Sequence, residues 1–323
     1  AKELNREMPD DILVYGFLAD AHAELGNYTE SEDAAQWMLN MRPGNVPGLT
    51  RGAYLRELFG DIEGAIEFMG SAFQRTPPQE REDRAWILTH IAHLELSRGR
   101  VAAADQLLPA AFELFPDYHY ALSQRAKVRT AQQRHAEAAD LLRQLVQVAP
   151  NPENFYPLAE ALDRAGRREE AQAAFEEFEQ KALREVEWAD NANRELIFYY
   201  ADHARKPAEA LWIAQKEFAR RQDVYTLDAY AWALYVNGEY VEARQQIERA
   251  LAVGIRDAKL FYHAGAITAK LNDRLAAEKY LRESLQLNPV SEAAAAAQNA
   301  LHTLTSAAAA WREQEEVSGF DSL

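Results

Sequence analysis

Leu227-Asp-Ala-Tyr-Ala231-Trp-Ala-Leu234, continued by Gly238-Glu-Tyr240-Val-Glu-Ala243 and Ala250-Leu251, decides the fold. Nearly the same text follows it: Phe261-Tyr-His-Ala-Gly265, then Asn272-Asp-Arg274-Leu-Ala-Ala277, then Ser284-Leu285-Gln-Leu287-Asn-Pro289. Ala231 and Gly265 lie 34 residues apart, as do Ala243 and Ala277. A fixed period of this size marks a solenoid of stacked supersecondary units.

The register extends upstream. Small or central residues recur at Ala19, Ala53, Ala92, Ala126, Ala159, Phe198, Ala231 and Gly265. A second series follows twelve residues behind each: Ser31, Ala65, Ala104, Ala138, Ala171, Ala210, Ala243 and Ala277. Both series step by 34, 39, 34, 33, 39, 33 and 34 residues. Small side chains at such positions let two helix backbones approach closely. Between the markers stand turn signals, among them Gly26-Asn-Tyr28, Gly60-Asp-Ile62, Gly166-Arg-Arg168 and Asn272-Asp-Arg274. Glycine just past a helix end, or asparagine in its place, supplies the left-handed cap. Pro43, Pro77, Pro116, Pro150 and Pro289 close units where a helix cannot continue. Each unit therefore reads as helix, tight turn, helix.

These residues resemble the tetratricopeptide repeat, a helix–turn–helix unit of about 34 residues. The resemblance runs from about Ile12 to Ser291. It implies an all-α, right-handed α-solenoid of eight units plus a capping helix. The expected units are 12–45, 46–79, 85–118, 119–151, 152–185, 191–223, 224–257 and 258–291. Residues 1–11 read as the tail of a preceding repeat or an N-terminal helix, since Lys2-Glu-Leu4-Asn5 resembles Leu285-Gln-Leu287-Asn288. A capping helix is expected over 292–316 and a disordered tail over 317–323. The unit at 191–223 departs most: Phe198 replaces the small residue, and Arg205-Lys206-Pro207 replaces the glycine turn, so a shifted helix pair is expected there. The two 39-residue steps are insertions. Glu80–Arg84 is expected to lengthen the start of the next helix, and Val186–Asp190 to extend the second helix that begins near Glu169.

Composition bounds the function. Of 323 residues 48% are apolar and 10% aromatic, which describes a folded chain. The net charge of −16 argues against sequence-independent nucleic-acid binding, which needs a basic face. The absence of cysteine removes disulfides, thiol catalysis and thiolate metal sites. No apolar run approaches the roughly 20 residues that span a bilayer. No phosphate-binding glycine loop, nucleophile elbow or metalloprotease motif is present. His90 and His93 share a helix face but are too few to hold zinc. No catalytic residue, metal site or cofactor is expected; compartment and oligomeric state are not legible.

The resemblance implies that the first helix of each unit lines a concave groove. Projected on that register, the groove holds Tyr54, Trp86, His90, His93, Tyr120, Lys127, Tyr156, Tyr199, Asp202, Tyr225, Asp228, Trp232, Tyr235 and Tyr262. Asp20, Glu24, Glu57, Glu160, Asp163 and Glu195 add acid; Arg51, Arg164, Lys259 and Lys270 add base. Aromatic side chains give contact area at low entropic cost. Such a groove suits a protein segment or extended peptide with apolar and basic side chains. The lysine–asparagine clamp of chaperone-tail binders is absent, since Gly16, Asp20, Thr50 and Tyr54 occupy its places. The expected function is a non-catalytic protein- or peptide-binding scaffold. The alternatives are a regulatory arm of a larger protein, or a sensor or enzyme with a pocket near 191–223.

Overall fold

Caps and small residues shape each hairpin locally. The computed structural model describes residues 2–306, and all regular structure among them is helical. After a short α1 (Lys2–Glu7), α2 (Ile12–Glu24) pairs with α3 (Tyr28–Met41), and α4 (Val46–Leu58) with α5 (Ile62–Arg75). Then α6 (Arg81–Ser97) pairs with α7 (Val101–Leu114), α8 (His119–Ala131) with α9 (His135–Val148), and α10 (Pro152–Arg164) with α11 (Arg168–Glu185). The sixth hairpin joins α12 (Asn193–Phe198) and a π-helical turn (Tyr199–His203) to α13 (Pro207–Arg220). The last two are α14 (Val224–Val236) with α15 (Tyr240–Ala252), and α16 (Ala258–Lys270) with α17 (Arg274–Leu287). A final helical segment, α18, covers 294–306. The rest of the helix expected to 316, and the tail after it, lie outside the described residues.

Several of the helices start where a side chain accepts from their first free N–H groups. Asp11 caps α2, Asp223 caps α14 and Asp257 caps α16. Within hairpins the marker residues are buried, with Ala53, Ala65, Ala92, Ala104, Ala231 and Ala243 all at 0% exposure or no more than a trace. The Ser31 hydroxyl donates to the Ala19 carbonyl at 2.8 Å, joining the two markers of the first hairpin.

The irregular places have local causes. The first insertion opens α6, which runs 17 residues. At the second insertion the helix is extended as expected, α11 running 18 residues against 14 in most second helices, but it stops at Glu185, and 186–190 form a turn instead of more helix. The Arg220 guanidinium donates to the Val186 carbonyl at 2.8 Å, and Lys216 pairs with Glu187, fixing that turn. In the sixth hairpin Arg205 takes the left-handed conformation itself, at φ 54°, and Pro207 opens α13. Phe198 meets the π-helical turn, which inserts an extra residue into the helical register. Leu196 and Ile197 are fully buried while Phe198 is only half-buried.

The array is wound into contact with itself, which the local pattern does not announce. The turn of the first hairpin meets the loop after the sixth: the Gln222 N–H donates to the Glu24 carbonyl at 2.9 Å, and the Val224 N–H to the Tyr28 hydroxyl at 2.9 Å. The turn of the second hairpin meets the loop after the seventh: a Cβ placed on Gly60 would stand 2.5 Å from the Gly254 carbonyl oxygen. The turn of the third meets the segment after the eighth: the Asn288 amide donates to the Leu96 carbonyl at 3.0 Å. Each turn thus touches the loop five hairpins later, along one seam. Burial above all pushes the Tyr28 hydroxyl up to about 12, partly offset by the Val224 N–H, so it stays neutral at the seam.

Candidate functional site

Self-contact converts the concave face into a lumen. First helices of hairpins three to eight surround a cavity of about 550 Å³, with His93, Lys127, Tyr156, Phe198, Tyr225 and Asp228 on its wall. A recess of about 290 Å³ adjoins it, shared through His93, Lys127, Asp257 and Lys259. The segment between α17 and α18 crosses this recess. Asn288 is bound to the third hairpin, and Glu292 lies 3.5 Å from Arg164 of α10.

The wall is charged in both signs. Glu160 receives the Tyr156 hydroxyl at 3.3 Å and Arg164 at 3.4 Å, and His203 stands 3.5 Å away. Burial alone would raise the Glu160 carboxyl, but His203, Arg164 and Lys259 together hold it below its ordinary value. Asp257 moves the other way: burial raises it, and nearby Asp228 adds to this against the N–H groups of Leu260 and Lys259. Lys259 carries its ammonium 3.5 Å above the Phe198 ring centre.

Nine of the residues singled out from the sequence line this cavity: His93, Lys127, Tyr156, Tyr225 and Asp228, with Glu160, Glu195, Arg164 and Lys259. Asp228 is fully buried, with its Oδ1 2.6 Å from His263 Nδ1. Tyr54 borders a smaller recess with Asp20 and Arg51 near the start of the array. Trp86 is half-buried and stacks on His90. His90 and His93 both face Glu57 on α4, with nitrogen–oxygen distances of 3.3 and 2.7 Å.

Other expectations need correcting. Tyr199 is not a groove residue: it is 6% exposed and packs on Phe175 and Phe178 of α11, because the π-helical turn alters the register. Trp232 is also core, 6% exposed, with its indole N–H donating to Asp202 at 2.8 Å. Tyr235 and Tyr262 pack around that indole, so Asp202, Tyr235 and Tyr262 form a cluster apart from the cavity wall. Tyr120 is 52% exposed and lies against His119, away from the cavity. The register missed Arg194, Phe198, Asp257 and Glu292, all on the cavity wall. Asp257 and Glu292 stand at helix starts, outside the positions a first-helix register samples.

Glu57 supplies a pH-dependent contact. Burial would raise its carboxyl, yet His93 and His90 hold it well below the ordinary 4.5. A depressed carboxyl contributes stability above its unfolded value and loses that contribution as pH falls below about 4.5 towards the folded value. Glu57→Gln should therefore cost about 1–3 kcal/mol at pH 7. It should also flatten the loss of stability in acid, read by urea unfolding at several pH values. An unchanged acid slope contradicts this role.

Among the described residues no three His, Asp or Glu side chains are arranged to hold a metal ion. None of the described helices is long and apolar enough to cross a membrane.

Residues 258–291 match the tetratricopeptide repeat family. No curated protein matches the chain. Among solved structures it is similar to a tetratricopeptide repeat protein from Parabacteroides merdae ATCC 43184, at 16% identity and TM-score 0.46, covering 80% of this chain and 98% of that one. It is similar to yeast Tom70 at 12% identity and TM-score 0.45, covering 98% and 93%. It is similar to MamA at 18% identity and TM-score 0.39, covering 55% and 96%. The eighth helical hairpin, residues 258–291, is thus of the tetratricopeptide type.

Proposed function

We propose that this tetratricopeptide-type array is a non-catalytic binding protein that takes a short segment of a partner protein into its lumen. The observation that carries this is the cavity of about 550 Å³ walled by first helices of six successive hairpins. Its size falls within the roughly 300–1,000 Å³ of typical ligand sites. Its wall combines aromatic faces with charges of both signs, the composition that fixes and orients a peptide. A short segment is favoured over a long extended strand, because the seam and the 288–293 segment narrow the interior that an open groove would offer.

Peptides selected against the whole chain from a random display library test this. Each binder is then retested on Lys127→Glu and Glu153→Lys, two exposed positions of the cavity wall. Loss of about tenfold or more in affinity, roughly 1.4 kcal/mol, is expected from at least one of them. Binders indifferent to both, yet weakened by Trp212→Ala on the outer surface, overturn the lumen as the site.

A further inference from the structure

Resting on the lumen reading, we propose that the lumen recognises a basic side chain of the partner segment, a guanidinium or ammonium group, and that Lys259 of the chain itself stands where that group binds. Six carboxylates line the cavity, from Glu153, Glu160, Glu195, Asp228, Asp257 and Glu292. Among the described residues only four permanent cations face them: Lys127, Arg164, Arg194 and Lys259. An anionic group entering here meets an excess of its own sign in a partly desolvated space, while a cationic one does not.

The four cations are held differently. Arg164 is fixed between Glu160 and Glu292, and Arg194 is turned towards Asp223 at 3.8 Å. Among the described residues neither Lys127 nor Lys259 has such an ion pair; Lys127 is exposed, whereas Lys259 is held against an aromatic ring. Among the described residues no carboxylate lies within 4.0 Å of its ammonium, which rests on the face of Phe198 at 3.5 Å. Its four-carbon stem can swing away without breaking an ion pair. What it gives up is a cation–π contact, worth roughly 0.5–2 kcal/mol.

A partner's guanidinium has more to gain at the same place. It can stack on Phe198 as Lys259 does, since planar guanidinium prefers aromatic faces. Its fork can also reach carboxylate oxygens that Lys259 leaves alone. One oxygen of Asp257 takes the N–H groups of Lys259 and Leu260 at 2.8 and 3.0 Å, and the cap uses only that oxygen. Charge-assisted hydrogen bonds to such groups are about twice as strong as neutral ones. The chain's own lysine and a partner's cation therefore compete for one aromatic and acidic site.

The probes are four acetylated, amidated glycine pentapeptides carrying a central arginine, lysine, norleucine or glutamate. Wild type, Lys259→Met and Glu160→Gln are compared by calorimetry, with unfolding midpoints checked first. The arginine and lysine peptides are expected to bind best. Lys259→Met should tighten them by about tenfold, because the competitor is removed, and Glu160→Gln should weaken them by a similar factor. Wild-type protein gives an independent readout should Lys259→Met fail to fold. The ε-methylene protons of Lys259 lie over an aromatic ring, so their NMR signals are displaced by its ring current, and the arginine peptide should return them to ordinary positions. Unchanged or weaker arginine binding by Lys259→Met overturns the proposal. So does a Lys259 signal that stays displaced at saturation, or no binding by any of the four at millimolar concentration. A glutamate peptide that binds best and responds to Lys127→Glu overturns the cation but leaves the lumen as the site. Peptides that bind yet ignore every lumen substitution overturn both.

Discussion

Trp232→Ala is expected to destabilise the chain by about 3–5 kcal/mol, the cost of emptying a large buried aromatic site. The indole is 6% exposed, stacks on His263 at 4.1 Å and on Tyr235 at 4.6 Å, and donates to Asp202. Truncation removes all of these at once. It also exposes one wall of the buried His263–Asp228 pair, whose members are 2% and 3% exposed. Trp232→Phe separates the terms: it keeps most of the packing and loses only the bond to Asp202, for about 1 kcal/mol. Urea unfolding midpoints of the two variants check the order. A Trp232→Ala protein as stable as wild type would return this residue to the role of a surface ligand contact.

Gly60→Ala is expected to cost more than the same change at Gly166 or Gly238, although all three glycines do the same local job. Each ends a helix in the left-handed region, with φ of 81°, 77° and 84°. An alanine there costs roughly 1–2 kcal/mol through backbone conformation alone. A Cβ on Gly166 or Gly238 meets nothing within 4 Å. On Gly60 it would stand 2.5 Å from the Gly254 carbonyl oxygen, a backbone atom that cannot rotate away. The seam must part there, and with it the contact between the second hairpin and the loop after the seventh. The difference between Gly60→Ala and the two controls therefore measures seam energy free of the turn penalty. Small-angle scattering should show a larger radius of gyration for Gly60→Ala and an unchanged one for Gly238→Ala. Equal stabilities and equal radii for all three contradict a load across the seam.

The helical hairpins were legible because their determinants are local. Ala231 and Ala243, or Gly238 and Asn272, do their work within one period, so repetition of the text repeats the shape. The seam was not legible, because it arises from small rotations summed over five hairpins. Tyr28 reads as an ordinary helix start and Asn288 as an ordinary residue after a helix; nothing near either names its partner. The candidate site was half legible for the same reason. Tyr156, Tyr225 and Asp228 follow the regular register and reach the cavity wall. Tyr199 does not, because the π-helical turn breaks the register beside Phe198. Trp232 follows the register, but Asp202 of the preceding hairpin draws its indole into the core.

The central claim is that the array closes on itself, and two amide protons report on it most directly. Val224 opens α14, so its N–H has no partner within that helix, and Gln222 lies in the loop before it. Their acceptors are the Tyr28 hydroxyl and the Glu24 carbonyl, both from the first hairpin. Residue-resolved hydrogen exchange at neutral pH should find both amides protected well beyond an exposed loop. It should also find protection at Val224 lost selectively in Tyr28→Phe. Exchange of Gln222 and Val224 at free-chain rates in the wild type, with the helices around them still protected, would show an open array and contradict the lumen.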